Sequence, residues 1–195
     1  MERQSKIMVS HFPTFILASK SPRRHYLLKQ AGFDFEVQTL DVDESFDTEL
    51  KKEEVPLFLA KKKALAFESK DKIIVTADTV VSLQDEIINK PENDEDAIAM
   101  LSKLSGRMHT VYSGVCIRKL DAIHSFTEAT EVFFKELSAA EIEYYVKHYQ
   151  PFDKAGAYGI QDWLGYIGVS RINGCFYNVM GFPVSRFYQE FSKFL

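Results

Sequence analysis

An apolar run, Phe15-Ile-Leu-Ala18, leads straight into Ser19-Lys-Ser-Pro-Arg-Arg24, and then into Leu27, Leu28 and Ala31 at helical spacing. A strand that hands over to a helix within so few residues commits the chain to a strand–turn–helix unit, a building block of α/β folds. Ser21 suits the N-cap and Pro22 the first helical position. Arg23 and Arg24 then fall in the first turn, where cations oppose the helix dipole. In one reading they are ordinary surface charges on a helix whose apolar face packs inward. In the other, a phosphate takes the free backbone N–H groups, the positive helix end and both guanidiniums. The junction is less specific than a Walker loop, and the two readings stay level on physics alone.

The 195 residues suffice for one domain with a core or for two small lobes. A net charge of -4 argues against a broad nucleic-acid surface, so any polyanion must meet a local cluster of Lys and Arg. Cys116 and Cys175 are far apart and in no metal-type spacing, which predicts free thiols in a reducing compartment. The five histidines lack HExxH-type spacing, which argues against zinc. Residues 1–11 are polar with no signal-peptide core, and no apolar run reaches membrane-spanning length. A soluble, cytoplasmic chain is expected.

Further elements follow in order. Gly32 ends the first helix, 33–40 reads as a strand, and the acidic run Asp41-Val-Asp-Glu44 opens a loop. Pro56 starts a helix over 57–69, and Ile73–Leu83 is strongly β-prone, turning back at Asp85-Glu86 into Ile87-Ile88. Asn93 or Asp94 caps a helix ending at Gly106, and 108–119 and 123–134 read as two long strands. Ser138-Ala-Ala-Glu141 is a capping box, and Pro151 breaks the helix it starts. The run 167–172, the turn Asn173-Gly174 and 176–179 predict a hairpin, and a last helix covers 184–194. Helices alternating with strands, with hairpins inserted, predict an α/β fold with a mixed sheet.

Asp78 interrupts Ile73-Ile-Val-Thr-Ala-Asp-Thr-Val-Val81, where Asp is disfavoured and an unpaired buried carboxylate is costly. Either it faces solvent on a polar strand face with Thr76 and Val80, or it is a general base or Mg²⁺ ligand on a rigid strand. Lys62 and Lys63 each border the apolar face of their helix, and periodicity does not choose between them. Lys90 precedes Pro91, weak evidence alone. In Asp153-Lys-Ala-Gly-Ala-Tyr-Gly-Ile-Gln161 small residues allow close approach, and Gln161 has a donor and an acceptor for a base edge. Tyr177, Asn178 and Gly181-Phe-Pro183 shape either a pocket wall or the core.

Taken together, these segments resemble the Maf proteins, a family of nucleoside triphosphate pyrophosphatases. The resemblance runs from Phe15 to Phe194 and rests on Ser19-Lys-Ser-Pro-Arg-Arg24, Leu59-Ala-Lys-Lys-Lys-Ala64, Ala77-Asp-Thr-Val-Val81, Asn89-Lys-Pro91, Leu104-Ser-Gly106 with His109, Asp153 to Gln161, and Tyr177-Asn-Val-Met-Gly-Phe-Pro183. It implies an elongated mixed sheet flanked by helices, two lobes with a central cleft, akin to the inosine triphosphate pyrophosphatase fold. Residues 14–195 would form one such domain behind a flexible extension, 1–13. It implies cleavage between the α- and β-phosphates with Mg²⁺ or Mn²⁺. It makes Ser19, Arg23, Arg24, Lys63 and Lys90 phosphate ligands, Asp78 the proton acceptor, Glu44 and Asp78 metal ligands, and Arg23, Thr79 and Gln161 the residues that set substrate preference.

Tyr-Gly-Ile-Gln161 followed by Tyr-Asn-Val-x-Gly is similar to the branch hydrolysing dTTP and UTP. The alternatives are a 7-methyl-GTP or inosine-type pyrophosphatase, or a non-enzymatic inhibitor of septum formation. The resemblance also implies a nucleoside triphosphate substrate and a homodimer, while the net charge and the lack of a long apolar run predict neither stable nucleic-acid nor membrane binding. Asp162-Trp163, Cys175 and Phe182 depart from the family pattern.

Overall fold

Strand β1 (Phe15–Leu17) is a buried three-residue rod that pairs parallel with both β2 (Phe35–Val37) and β3 (Ile73–Leu83). The computed structural model describes residues 12–68 and 71–195, so most of the expected extension, 1–11, lies outside the described residues. Around β1 the described residues build a seven-stranded mixed sheet in the order β2-β1-β3-β5-β6-β7, with β4 (Glu86–Ile88) on β3. The long antiparallel strands β5 (Met108–Lys119) and β6 (Ala122–Phe134) give it length, and β7 (Val169–Asn173) closes the far edge. Helices α1 (Pro22–Gln30), α2 (Val55–Ala66), α3 (Asp94–Leu104), α4 (Ala139–Tyr149) and α7 (Val184–Phe194) flank it. The expected α/β class with an elongated mixed sheet is what the chain adopts.

Local signals explain many boundaries. Gly32 turns the chain out of α1 at φ 81°. Asn93 caps α3 by accepting from the Asp96 N–H at 2.8 Å, and Ser138 and Glu141 form the reciprocal capping box of α4. Helix α7 stacks Phe187 and Phe191 one turn apart, both buried, against Phe15 and Phe33. Phe12 joins the same group at 5.2 Å from Phe33.

Two elements shift their bounds. Strand pairing near the sheet edge spans only 35–37 of the expected 33–40, and α2 starts two residues early and ends at Ala66. The expected hairpin over 167–179 is not formed. Trp163–Gly168 is a short helix, α5, and Phe176–Val179 is one helical turn, α6; only 169–173 is a strand, paired with β6 rather than with the segment that follows. The cause is long-range: the buried Asn178 amide donates to Val111 O and Thr130 Oγ1, both at 3.0 Å, and the Cys175 N–H donates to Thr130 Oγ1 at 3.1 Å. Those bonds coil 176–179 over β5 and β6 instead of extending it, and they make Asn178 a core residue.

Helix α2 crosses β3 and β5 on one face. The Thr76 hydroxyl donates to Ala60 O at 2.6 Å, and Val80 packs with Val55 and Leu59. Gly114, opposite Asp78 in the β3–β5 register, makes this close approach possible: a Cβ there would stand 2.3 Å from Leu57 N.

His109 is buried on β5, sharing a 2.7 Å hydrogen bond with the Tyr158 hydroxyl and edge-on to Phe134. Burial lowers its pKa to about 4, so the folded chain holds it neutral while the unfolded chain protonates it near 6.5. The stability this confers is complete above pH 6.5 and is lost as pH falls toward 4, on the order of 3 kcal/mol at most. Urea unfolding between pH 7 and 4 is expected to show this fall, and His109→Gln is expected to flatten it. An equally steep fall in the variant would assign it to other groups.

Candidate active site

Thr76, Asp78 and Val80 alternate onto the α2 face of β3, so Asp78 points at the helix rather than at solvent, and its side chain is 13% exposed. Lys63 comes down from α2 to meet it, with Nζ 2.6 Å from Asp78 Oδ1 and 2.8 Å from Glu44 Oε1. Burial pushes the Glu44 carboxyl up, but Lys63, with Lys90 and Arg24 behind it, outweighs this and holds it below the usual carboxylate range. Lys62, its competitor in the sequence, instead holds the acidic loop through Asp43 Oδ2 and Ser45 O, both at 3.0 Å.

The strand–helix junction packs on the other face. Ser21 occupies the N-cap and Pro22 the first turn of α1; the Ser21 side chain makes no cap bond, while the Ser21 N–H donates to Ser19 Oγ at 3.2 Å. Arg24 turns inward. Its Nε donates to Gly181 O at 2.9 Å, Nη1 to Ala77 O at 2.8 Å and to Ser19 Oγ at 3.3 Å, and Nη2 to Thr79 Oγ1 at 3.1 Å. Desolvation lowers the pKa of this guanidinium, with Asp78 acting against the shift. Thr79 also meets the Ser113 hydroxyl at 2.9 Å. Arg23 reaches across the chain to the carboxylate of Asp153, which also accepts from Lys154 Nζ at 2.7 Å.

All nine residues expected from the sequence, Ser19, Arg23, Arg24, Glu44, Lys63, Asp78, Thr79, Lys90 and Gln161, line one cavity of about 620 Å³. Its wall also carries Lys20 and Lys154, so six basic side chains (with Arg23, Arg24, Lys63 and Lys90) face four acidic ones, Asp41, Glu44, Asp78 and Asp153. A second cavity of about 770 Å³ adjoins it, sharing Pro22, Arg23, Gln161 and Met180, and is walled by Tyr26, Tyr166, Phe176 and Tyr177. Three residues that organise the site carry no role in the sequence reading: Asp153, which holds Arg23, Asp162, which holds Gln161, and Tyr145, which holds Asp162. The mark Asp162 left was its departure from the family pattern. Asp153 and Arg23 are 130 positions apart, beyond any local periodicity.

A cation-walled cleft with a strand-borne carboxylate paired to a lysine, beside an aromatic hollow, defines a class: an α/β protein built to hold a polyphosphate carrying an organic group. The family described as Maf-like protein matches residues 14–194, and the chain belongs to that family. It is 50% identical over 182 residues to the dTTP/UTP pyrophosphatase of Phocaeicola vulgatus, covering 91% of this chain and 94% of that one. It is 48% identical to proteins of the same name from Bacteroides thetaiotaomicron (91% and 94% covered) and Cytophaga hutchinsonii (94% and 85%). Among solved structures it is similar to the Ham1 protein of Staphylococcus aureus, at 17% identity and TM-score 0.44 over 63% of this chain and 72% of that one. A HAM1 protein from Coxiella burnetii follows at 12% identity and TM-score 0.42, over 62% and 72%. No helix among the described residues is long and apolar enough to cross a membrane.

Proposed function

We propose that this chain is a nucleoside triphosphate pyrophosphatase that hydrolyses dTTP and UTP to the monophosphate and pyrophosphate. The observation that carries the reading is Asp78, fixed mid-strand against Lys63 on the wall of a cavity dominated by cations. The names of relatives about half identical over nine-tenths of the chain supply the substrates.

In this reading Arg23, Lys90 and the open first turn of α1 take the β- and γ-phosphates, and Lys63 leaves its carboxylate partners to neutralise phosphate oxygen. Arg24 braces Ser19, Ala77 and Thr79 and adds its field. Asp78 accepts a proton from a water that attacks the α-phosphorus. The bond from that phosphorus to the bridging oxygen breaks, and pyrophosphate leaves in the cationic cluster. The base lies toward Gln161 and the aromatic hollow.

Glu44 and Asp78 suit a divalent metal. Both are hard oxygen donors, and both already touch one cationic atom, Lys63 Nζ, at 2.8 and 2.6 Å. No group of three or more His, Cys, Asp or Glu gathers among the described residues, so a metal held by Glu44 and Asp78 would draw its other ligands from water or from substrate phosphate oxygens. A bound Mg²⁺ or Mn²⁺ would neutralise phosphate charge and polarise the reacting phosphoryl group.

Incubation with dTTP, UTP, 7-methyl-GTP and ITP, each with Mg²⁺, Mn²⁺ or EDTA, tests the reading through the phosphate products. Pyrophosphate from dTTP and UTP, abolished by EDTA, is expected. Orthophosphate as the first product would move the cleavage to the β–γ bond and overturn it. A preference for 7-methyl-GTP or ITP would favour the sister activities, and no turnover at all a non-enzymatic role.

A further inference from the structure

Gln161 has its amide nitrogen fixed and its amide oxygen unused. Nε2 donates to Asp162 Oδ1 at 3.0 Å. Asp162 Oδ2 in turn accepts from the Tyr145 hydroxyl at 2.9 Å, with Lys154 Nζ 3.8 Å away. The Tyr145 oxygen accepts the Gly159 N–H at 3.0 Å, and burial raises its pKa, so its own proton is kept for Asp162. Gly159 leaves the room this cluster needs: a Cβ there would sit 2.6 Å from Gln161 Nε2 and 2.4 Å from Asp162 Oδ2.

A carboxylate accepts and does not donate, so it holds the nitrogen end of the Gln161 amide and rejects the oxygen end. Gln161 Oε1 is accordingly turned away from Asp162, and it is buried with no hydrogen-bond partner. A buried acceptor without a partner costs free energy that a ligand's donor can recover. Gln161 lines both the cationic cavity and the aromatic hollow, where a nucleotide's base and phosphates would divide.

We propose that Asp162 is a specificity-positioning residue: by holding the Gln161 amide nitrogen it presents Oε1 as a fixed acceptor, so the site selects pyrimidines that offer an N–H there, as N3–H of uracil and thymine does. This rests on the nucleotide reading above and deepens it. It also narrows what the Gln161 side chain does, from a donor–acceptor pair free to turn over to an amide of one polarity.

The test compares kcat/KM for UTP with that for the triphosphate of the 2-pyrimidinone ribonucleoside, whose ring has a bare N3 and no N–H donor. The unaltered chain is expected to prefer UTP at least about tenfold, the discrimination of one good base contact. In Asp162→Asn the new amide can donate to Oε1, so Gln161 can turn over and offer its N–H to the bare N3. The preference then falls to about threefold or less, or inverts. Asp162→Ser removes the carboxylate at smaller volume and is expected to relax the preference likewise. A general loss of activity would not move this ratio. No preference in the unaltered chain, or an unchanged preference in either folded variant, overturns the assignment of Asp162 while leaving the pyrophosphatase reading intact. A chain that releases no pyrophosphate from any triphosphate overturns the functional reading, and this inference with it.

Discussion

Asp78→Asn is expected to fold and melt close to the unaltered chain while losing on the order of 10²–10⁴ in turnover on UTP, the range that general-base catalysis supplies. Asn matches Asp in shape, so the close packing of α2 on β3 has no cause to shift. Lys63 is not left alone by the change, because Glu44 still meets its Nζ at 2.8 Å. On the proposed reading, what vanishes is the proton acceptor and one oxygen donor for metal. The loss should therefore fall mainly on kcat, with KM moving less, since the phosphate-gripping cations remain. Circular dichroism and a thermal scan establish the fold, and steady-state kinetics give the rest. Turnover within threefold of the unaltered chain would remove Asp78 from the chemistry.

Arg24→Lys is expected to damage both stability and activity, although the charge is kept. The guanidinium ties β3 to two distant segments at once, through Ala77 O, Thr79 Oγ1, Ser19 Oγ and Gly181 O. A lysine ammonium on a flexible stem cannot reproduce that fork, so at least two of these bonds are lost, although Gly181 O, Ser19 Oγ and Thr79 Oγ1 keep Thr79, the Ser21 N–H and Ser113 as partners. Taking about 1–2 kcal/mol for each of two lost bonds to a charged donor gives a loss of about 2–4 kcal/mol. For a chain of this size that lowers Tm by roughly 4–16 °C. Activity should fall with it, since Ser19 and Thr79 lose their brace. A Tm within about 2 °C of the unaltered chain would show that the fork is dispensable.

The arginine pair shows how far the sequence could be read. The misfit of two cations in a first helical turn pointed to an anion site, and both residues do line the cationic cavity. Their division of labour was not legible, because it depends on partners far along the chain: Asp153 for Arg23, Gly181 for Arg24. Strand β3 and helix α7 were legible to the residue because their signals are local, a β-branched run and an amphipathic stripe bounded by Gly181 and Pro183. The segment 163–179 was not. Asn173-Gly174 reads as a hairpin turn, but the conformation of 176–179 is decided by the Asn178 amide and Thr130, some 48 positions apart. Lys62 and Lys63 could not be told apart by periodicity, since both border the apolar face of α2. The loop from Asp41 to Glu44 separates them by giving each a different acid.

Gly114 stands opposite Asp78 across the β3–β5 pairing, and the backbone of Pro56 and Leu57 rests where any side chain there would be. The depth at which α2 lies on the sheet is therefore set by a missing atom. That depth in turn sets how far the Lys63 ammonium reaches toward the carboxylate. A residue with no side chain, itself not lining the cavity, thus acts as the spacer that tunes the charge pair on the cavity wall. The spacing of that pair can therefore be altered from the backbone alone, with every charged group left in place.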